Sequence, residues 1–261
     1  MNIEHISVSR KLYWDQCQQA YKYKYHLKEK SGEPEPFYFV YGKVIHKIAE
    51  DYVGNQGNKT LSESALDVLQ RKIPIDDGVP EKNIPPTYAP VLPQDYKNKM
   101  IEHLKSVKSI TDTLGMSGEL EHEFNYDLDP PNNKFVKGFI DRLIIKDDKY
   151  FILDYKTTKK GKWRKDSQSI LHDLQLRLYA RVVQKEFNVS ADKIQVALYY
   201  LEGGDLVSAK YTDAAILSAE HELLEAYNQI KELHPDNAIG NVGSHCWRCD
   251  YKKRCPFYNA I

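Results

Sequence analysis

The chain has 261 residues, with 37 Lys plus Arg balanced by 37 Asp plus Glu, and 41% hydrophobic residues. That balance excludes a uniformly basic nucleic-acid binder, so any polyanion-binding surface must be local, and the length suffices for a large α/β domain with a substantial core. No apolar run reaches the length of a membrane span and the start Met1-Asn2-Ile3-Glu4-His5 lacks a signal-peptide pattern, so no membrane and a cytoplasmic location are expected.

Residues 7–30 are expected as a helix, with Ser9 as cap and Leu12, Tyr13, Cys17, Ala20 and Tyr21 near one face. Within it, the run from Gln18 to Tyr25 is rich in tyrosine and lysine. That mixture suits phosphate contacts and base stacking, and equally tyrosines packed beneath solvated lysines. After the turn signal Ser31-Gly32-Glu33-Pro34-Glu35-Pro36, a second helix is expected from Phe37 to Val53. Val40, Val44, Ile48 and Tyr52 make one stripe, and His46 falls on another face beside Gly42, Ile45, Ala49 and Glu50. Residues 54–118 read as a helical insertion covering one side of the domain: a helix at 61–71, a proline-rich loop at 74–93 and a helix at 94–114.

The sheet is expected to open with a strand at 118–126, where Leu120, His122, Phe124 and Tyr126 alternate with Glu119, Glu121, Glu123 and Asn125. Glu121 is thereby either a neighbour of a metal or part of an exposed acidic face. Two further strands, 135–145 and 150–158, join through Asp147-Asp148 as a hairpin. The period of two places Asp141, Asp154 and Lys156 on one face of that hairpin. Two carboxylates meeting on an apolar face are costly unless a positive group joins them, and a divalent cation with oxygen ligands is the usual answer.

Directly downstream, residues 156–165 hold six basic residues in ten with Trp163 among them, a run placed to hold a polyanion. A helix is expected at 167–187 with Leu171, Leu174, Leu178 and Val182 facing the core and Gln175 and Tyr179 as neighbours on its surface. Strands at 194–201 and 206–211 flank Gly203-Gly204-Asp205, and Thr212-Asp213 caps a long final helix to about Leu233. The chain end carries Cys246, Cys249 and Cys255 in the spacing C-x2-C-x5-C, while the fourth cysteine, Cys17, lies near the other end. Four thiolates suit an iron-sulfur cluster or a tetrahedral zinc, and spacing alone leaves both open. Either would join the termini and close a loop of almost the whole domain.

Taken together, these residues resemble the PD-(D/E)xK nuclease superfamily, in particular its RecB-like exonuclease branch with an iron-sulfur cluster, which includes the CRISPR-associated Cas-four family and AddB-type nuclease domains. The resemblance rests on Gly42 to His46, Glu121 to Phe124, Gly138 to Arg142, Asp154-Tyr155-Lys156-Thr157, Gln175 to Tyr179 and the one-plus-three cysteines. It departs at Gln18, where a proline often follows the first cysteine, and it uses Asp154 as an allowed variant of the second acid. It implies a restriction-endonuclease-like α/β fold, a mixed central sheet flanked by helices, with residues 1–261 as a single nuclease domain. In that domain 54–118 are a helical insertion, and residues 1–30 plus 234–261 form an iron-sulfur-stapled region.

By the same resemblance, His46, Asp141, Asp154 and the Tyr155 carbonyl would bind Mg2+ or Mn2+. Lys156 would orient or activate water and stabilise developing charge, and Gln175 and Tyr179 would position DNA or that lysine. Cys17, Cys246, Cys249 and Cys255 would hold a 4Fe-4S cluster. The implied function is a metal-dependent DNA exonuclease acting on single-stranded DNA or DNA ends in recombination, repair, phage DNA processing or CRISPR adaptation. Its implied partners are DNA and a helicase, integrase or annealing protein, and the family's oligomers make self-association an open expectation. The competing reading is a catalytically silent DNA-binding subunit with a structural cluster.

Overall fold

The computed structural model describes residues 1, 3–29, 36–75 and 92–258. Most of the expected turn at 31–36 and of the proline-rich loop at 74–93 lies outside them. Five strands form one mixed sheet in the order β1-β2-β3-β4-β5. They are β1 (Glu119–Asp129), β2 (Lys134–Lys146), β3 (Lys149–Lys156), β4 (Ile194–Tyr200) and β5 (Asp205–Ala209). The β2–β3 hairpin is antiparallel from Arg142↔Leu153 to Lys146↔Lys149. Its turn residues Asp147 and Asp148 both take left-handed backbone, at φ 50° and 58°. That is the primed turn whose twist matches the flanking strands, and short acidic side chains tolerate it. β3 then pairs in parallel with β4, and β4 antiparallel with β5.

By internal contacts the chain falls into two compact units, Met1–Pro34 with Glu123–Gly138 and Ala214–Ile261, and Glu35–His122 with Phe139–Asp213. In the second, α3 (Phe37–Gly54), α4 (Leu61–Leu69) and α5 (Gln94–Leu114) pack on the sheet face that carries Leu153, Tyr155, Ala197 and Tyr199. The expected stripe of Val40, Val44, Ile48 and Tyr52 is buried against it. A capping box in which Thr60 and Glu63 satisfy each other's backbone N–H groups starts α4. Ser106 Oγ on α5 donates to the Leu201 carbonyl at 2.6 Å, so the insertion is tied to the end of β4.

The opposite face belongs to α6 (Leu174–Glu186), whose C-terminal neighbour Phe187 lies 5.1 Å from the Tyr150 ring. Asp173 caps α6 by accepting from Leu176 N–H at 2.9 Å. The helix therefore starts later than expected. Residues 169–172 form a separate 3-10 turn that leaves Leu171 exposed instead of in the core.

In the first unit, the single helix expected over 7–30 is broken. α1 (Val8–Gln16) is capped by Ser7, not Ser9, and Cys17 is extended at φ −167° and ψ 110°. The chain then resumes as α2 (Gln18–Tyr21) and a π-helical turn at Lys22–His26. α7 (Asp213–Glu232) is the long last helix, and the Met1 ammonium donates to the Ile230, Lys231 and Leu233 carbonyls at 3.0, 3.0 and 2.8 Å, a cation on acceptors of its last turn and beyond. Gly138 on β2 admits the Phe124 ring so closely that an added Cβ would sit 2.5 Å from Cζ, which explains why a glycine stands there. No helix among the described residues is long and apolar enough to cross a membrane.

Candidate functional site

The β2–β3 ladder stops at Arg142↔Leu153, short of the two acids. Beyond it, the Tyr155 N–H donates to the Asp141 carboxylate, Oδ2, at 2.8 Å. The two strands thus part where their chemistry begins, and a side chain takes a donor that a neighbouring strand would otherwise claim. Tyr155 thus contributes an amide that orients Asp141, in addition to the carbonyl expected as a ligand.

His46 reaches the same oxygen from α3, with Nδ1 3.4 Å from Asp141 Oδ2. Glu121 on β1 completes the group. His46, Glu121 and Asp141 each present a ligand atom, all within 4.8 Å of one another. Imidazole and two carboxylates are a donor set for a small divalent cation, and among the described residues no other three His, Cys, Asp or Glu side chains converge so closely.

Glu121 sits in left-handed backbone, φ 46°, inside a strand. That conformation is unfavourable for a residue with a Cβ and persists only where its surroundings over-determine it. It also breaks the alternation expected for β1. Leu120 packs against the cluster formed with α3, α4 and α5, yet His122 lies against Phe187 and Glu186 beyond α6. A regular strand would have put both on one face. His122 anchors the distortion, with Nδ1 2.9 Å from Glu119 Oε1 and Nε2 2.9 Å from Glu186 Oε2. Burial opposes its charge, but the two carboxylates outweigh burial and raise its pKa.

Asp154 is 1% exposed, and Oδ2 contacts the Lys156 ammonium at 2.6 Å. The contact is one of charge more than of hydrogen-bond alignment, since the same oxygen has no well-directed donor. Burial pushes the Asp154 carboxyl up, Lys156 opposes that, and Asp141 adds to it. Lys156 is shifted upward: burial works against its charge, and Asp154 and Asp141 more than compensate. Of the expected ligands, His46 and Asp141 therefore converge with Glu121, whereas Asp154 is engaged by the lysine. Gln175 Nε2 donates to Tyr179 Oη at 2.6 Å, and Tyr179 is pushed up by burial and then by Asp154 and Asp141, so the tyrosine lies within electrostatic reach of the acids.

A buried arginine supports this arrangement. Arg142, next to Asp141 but on the other face, is wholly buried. Its guanidinium donates to the Ser117 carbonyl at 2.8 Å, to the Gly115 carbonyl and, at 3.4 Å, to Tyr155 Oη. It satisfies acceptors just past the end of α5 and steadies the residue that orients Asp141. The only hint in the sequence is a charged pair, Asp141-Arg142, inside an apolar strand. Arg142→Met should lower stability by about 1–3 kcal/mol through the carbonyls left without donors. Thermal unfolding of the variant, which shows no shift if those acceptors are solvated, checks this.

In chelator, the acids also give a pH signature. Burial, then Asp141, lifts Glu121 to about 7. A folded pKa above the unfolded one means that the folded chain loses stability as pH rises past the unfolded value, with the loss complete above about 7. Glu121→Gln is therefore expected to unfold at a higher temperature than the parent at pH 8 in chelator, with the gap closing towards pH 4. In magnesium the order should reverse, because the parent gains a ligand for the cation. Differential scanning at the two pH values, with and without metal, reads both arms.

The four cysteines are free thiols in the unit that contains both ends of the chain. Cys17 and Cys246 are buried, and Cys249 and Cys255 half-buried. The break at Cys17 is held by Gln19 N–H donating to the Ile239 carbonyl at 3.1 Å and by Asn241 Nδ2 donating to the Gln16 carbonyl at 3.2 Å. Cys246 and Cys249 lie on tight turns, with Cys249 N–H donating to the Cys246 carbonyl at 3.1 Å. Burial raises the Cys249 thiol, a backbone N–H at Tyr251 pulls it back, and Cys17, Cys246 and Cys255 raise it further, so the four sulfurs lie within electrostatic reach. No three of them come within 4.8 Å of one another.

A search of curated proteins finds no match. Among solved structures, the chain is similar to one described as "Crystal structure of SSO0001", at 12% identity and a TM-score of 0.45, over 99% of this chain and 88% of that one. The family model of the PD-(D/E)XK nuclease superfamily matches residues 5–256. That span runs through the parted hairpin with Asp154 and Lys156, the histidine of α3 and all the cysteines, and on this match the chain belongs to the PD-(D/E)XK nuclease superfamily.

Proposed function

We propose that the protein is a Mg2+- or Mn2+-dependent DNA exonuclease of the RecB-like branch, in which a 4Fe-4S cluster on Cys17, Cys246, Cys249 and Cys255 staples residues 1–30 to 234–261. The observation that carries the catalytic part is the convergence of His46, Glu121 and Asp141 beside the buried Asp154–Lys156 pair. These residues fit a divalent cation: an imidazole and two carboxylates present ligand atoms that all lie within 4.8 Å of one another. When bound, such a cation supplies Lewis-acid activation of the attacked phosphate and of water.

The chain's own groups do the rest. Asp154 aims the Lys156 ammonium, which presents a fixed positive charge where negative charge develops on the phosphate. Tyr155 N–H fixes the rotamer of Asp141, and Gln175 and Tyr179 hold each other in place to position the DNA or the lysine. On the side of the cysteines, four free thiols, one in residues 1–30 and three in 234–261, are the number of donors a cluster needs. We place the enzyme in recombination, repair, phage DNA processing or CRISPR adaptation, alongside a helicase, integrase or annealing protein, with residues 54–118 as an insertion in a single nuclease domain.

End-labelled single- and double-stranded DNA, incubated with the protein in Mg2+, Mn2+ or chelator, tests the activity. Metal-dependent release of short labelled products from an end is expected. DNA binding without hydrolysis in either metal would instead establish a silent binding subunit. Anaerobic purification with iron, sulfide and zinc analysis tests the cluster: a brown protein with iron and sulfide supports it, and stoichiometric zinc overturns it.

A further inference from the structure

We infer that Trp163 is a base-stacking residue, which takes an unpaired nucleobase of the strand whose backbone lies at the Lys156 site. The inference deepens the nuclease reading and rests on it. Trp163 is 77% exposed, the most exposed of the large hydrophobic side chains described. It stands on the loop that leaves β3 directly after Lys156, within the same basic run of residues 156–165. Exposure alone would mean little, but the loop is built and not slack. Arg164, adjacent to Trp163, is largely buried: Nε donates to the Thr158 carbonyl at 3.1 Å, one terminal nitrogen to the Glu202 carbonyl at 2.6 Å and the other to Asp205 at 2.6 Å. Lys160 N–H donates to Glu202 at 2.8 Å, and Lys165 N–H to Tyr200 Oη at 2.8 Å. The backbone on both sides of the tryptophan is fastened, and the indole is the part left in water.

Its neighbours carry the complementary charge. Lys162 Nζ lies 4.8 Å from the Trp163 ring centre, and Lys159 Nζ lies 5.8 Å from the ring centre of Tyr96, itself packed on Phe37 at 4.9 Å. Two lysines of the loop after β3 thus each lie over an aromatic face, and Gly42 of α3 packs beside Thr157 at the start of that loop, where an added Cβ would meet Oγ1 at 3.6 Å. Phosphate-binding cations beside aromatic faces match a single strand, whose bases expose their π-faces. They do not match a duplex, whose bases are already stacked.

The test measures binding in chelator, without turnover. Trp163→Ala should bind a short single-stranded oligonucleotide about ten-fold more weakly, while its affinity for blunt duplex changes little. An oligonucleotide with consecutive abasic sites should bind the parent about ten-fold more weakly than the intact one and should bind Trp163→Ala no more weakly still, with Trp163→Tyr restoring most of the difference. Equal losses on intact and abasic strands, or on single strand and duplex, would overturn the assignment, since a structural or phosphate-binding role predicts that pattern. Parent protein that shows the base-dependent coupling yet hydrolyses nothing in Mg2+ or Mn2+ would sink the nuclease reading and leave the stacking site standing.

Discussion

Lys156→Ala is expected to lower metal-dependent DNA hydrolysis at least a hundred-fold, the order found when one charge-stabilising donor is removed from a reacting centre. Binding of DNA in chelator should survive, because Lys156 is one of six basic residues in 156–165 and a polyanion is held by several cations at once. Asp154→Asn should lose as much for a different reason: it removes an anion that aims the lysine and is expected to bind the cation, and it keeps the shape of the side chain. Asp154 is buried while the Lys156 side chain is 31% exposed, so removing one partner leaves the other without its counter-charge at a cost below the roughly 3–5 kcal/mol of a fully buried pair. Each single variant should therefore also melt earlier, and Lys156→Ala with Asp154→Asn together should recover stability but not activity. Turnover and melting of the three proteins, measured side by side, distinguish a catalytic effect from unfolding. Full activity of Lys156→Ala on labelled DNA in Mg2+ would remove this lysine from the mechanism.

Cys17→Ser is expected to have the largest effect on stability. If Cys17 and Cys246 share a cluster, the link spans 229 positions (246 − 17). Restricting a loop of that length in the unfolded chain is worth about 5 kcal/mol on the chain-entropy estimate, or a fall of about 10 °C or more in the melting temperature when the link is lost. Replacing Cys249 or Cys255 should lower the melting temperature less than Cys17→Ser does, because a cluster retained on the other three thiols still joins the two segments, whereas Cys17 is the one thiol of its segment. Iron content and thermal melting of the anaerobically purified variants check both statements. A Cys17→Ser protein that keeps its iron and its melting temperature would show that this thiol is no ligand.

Much of this molecule could be read from the order of its residues. Alternating apolar residues, the acidic turn at Asp147-Asp148 and the four-residue stripe from Val40 to Tyr52 are local patterns. Local patterns specify elements, because burial demands one face and the backbone period decides which residues share it. Asp141, Asp154 and Lys156 were legible as candidates for the same reason, whereas His46, Gln175 and Tyr179 were candidates only through the family resemblance. Trp163 was visible as an aromatic residue in a basic run, but not as the exposed tip of a fastened loop.

The remainder depended on contacts between segments far apart in sequence. Nothing local announces that β2 and β3 part beyond Arg142↔Leu153, since a hydrogen bond from Tyr155 to the side chain of Asp141 must first outcompete the ladder. Glu121 turns left-handed within a run of alternating residues because His122 is gripped by Glu119 and Glu186. Cys17 interrupts a helix that its neighbours would continue, because Gln16 and Gln19 bond to residues more than two hundred positions away. Composition and period thus determined which elements exist and which residues could do chemistry. Only tertiary packing decided where the regular elements break, because an unfavourable local conformation persists only when distant partners supply the free energy that holds it.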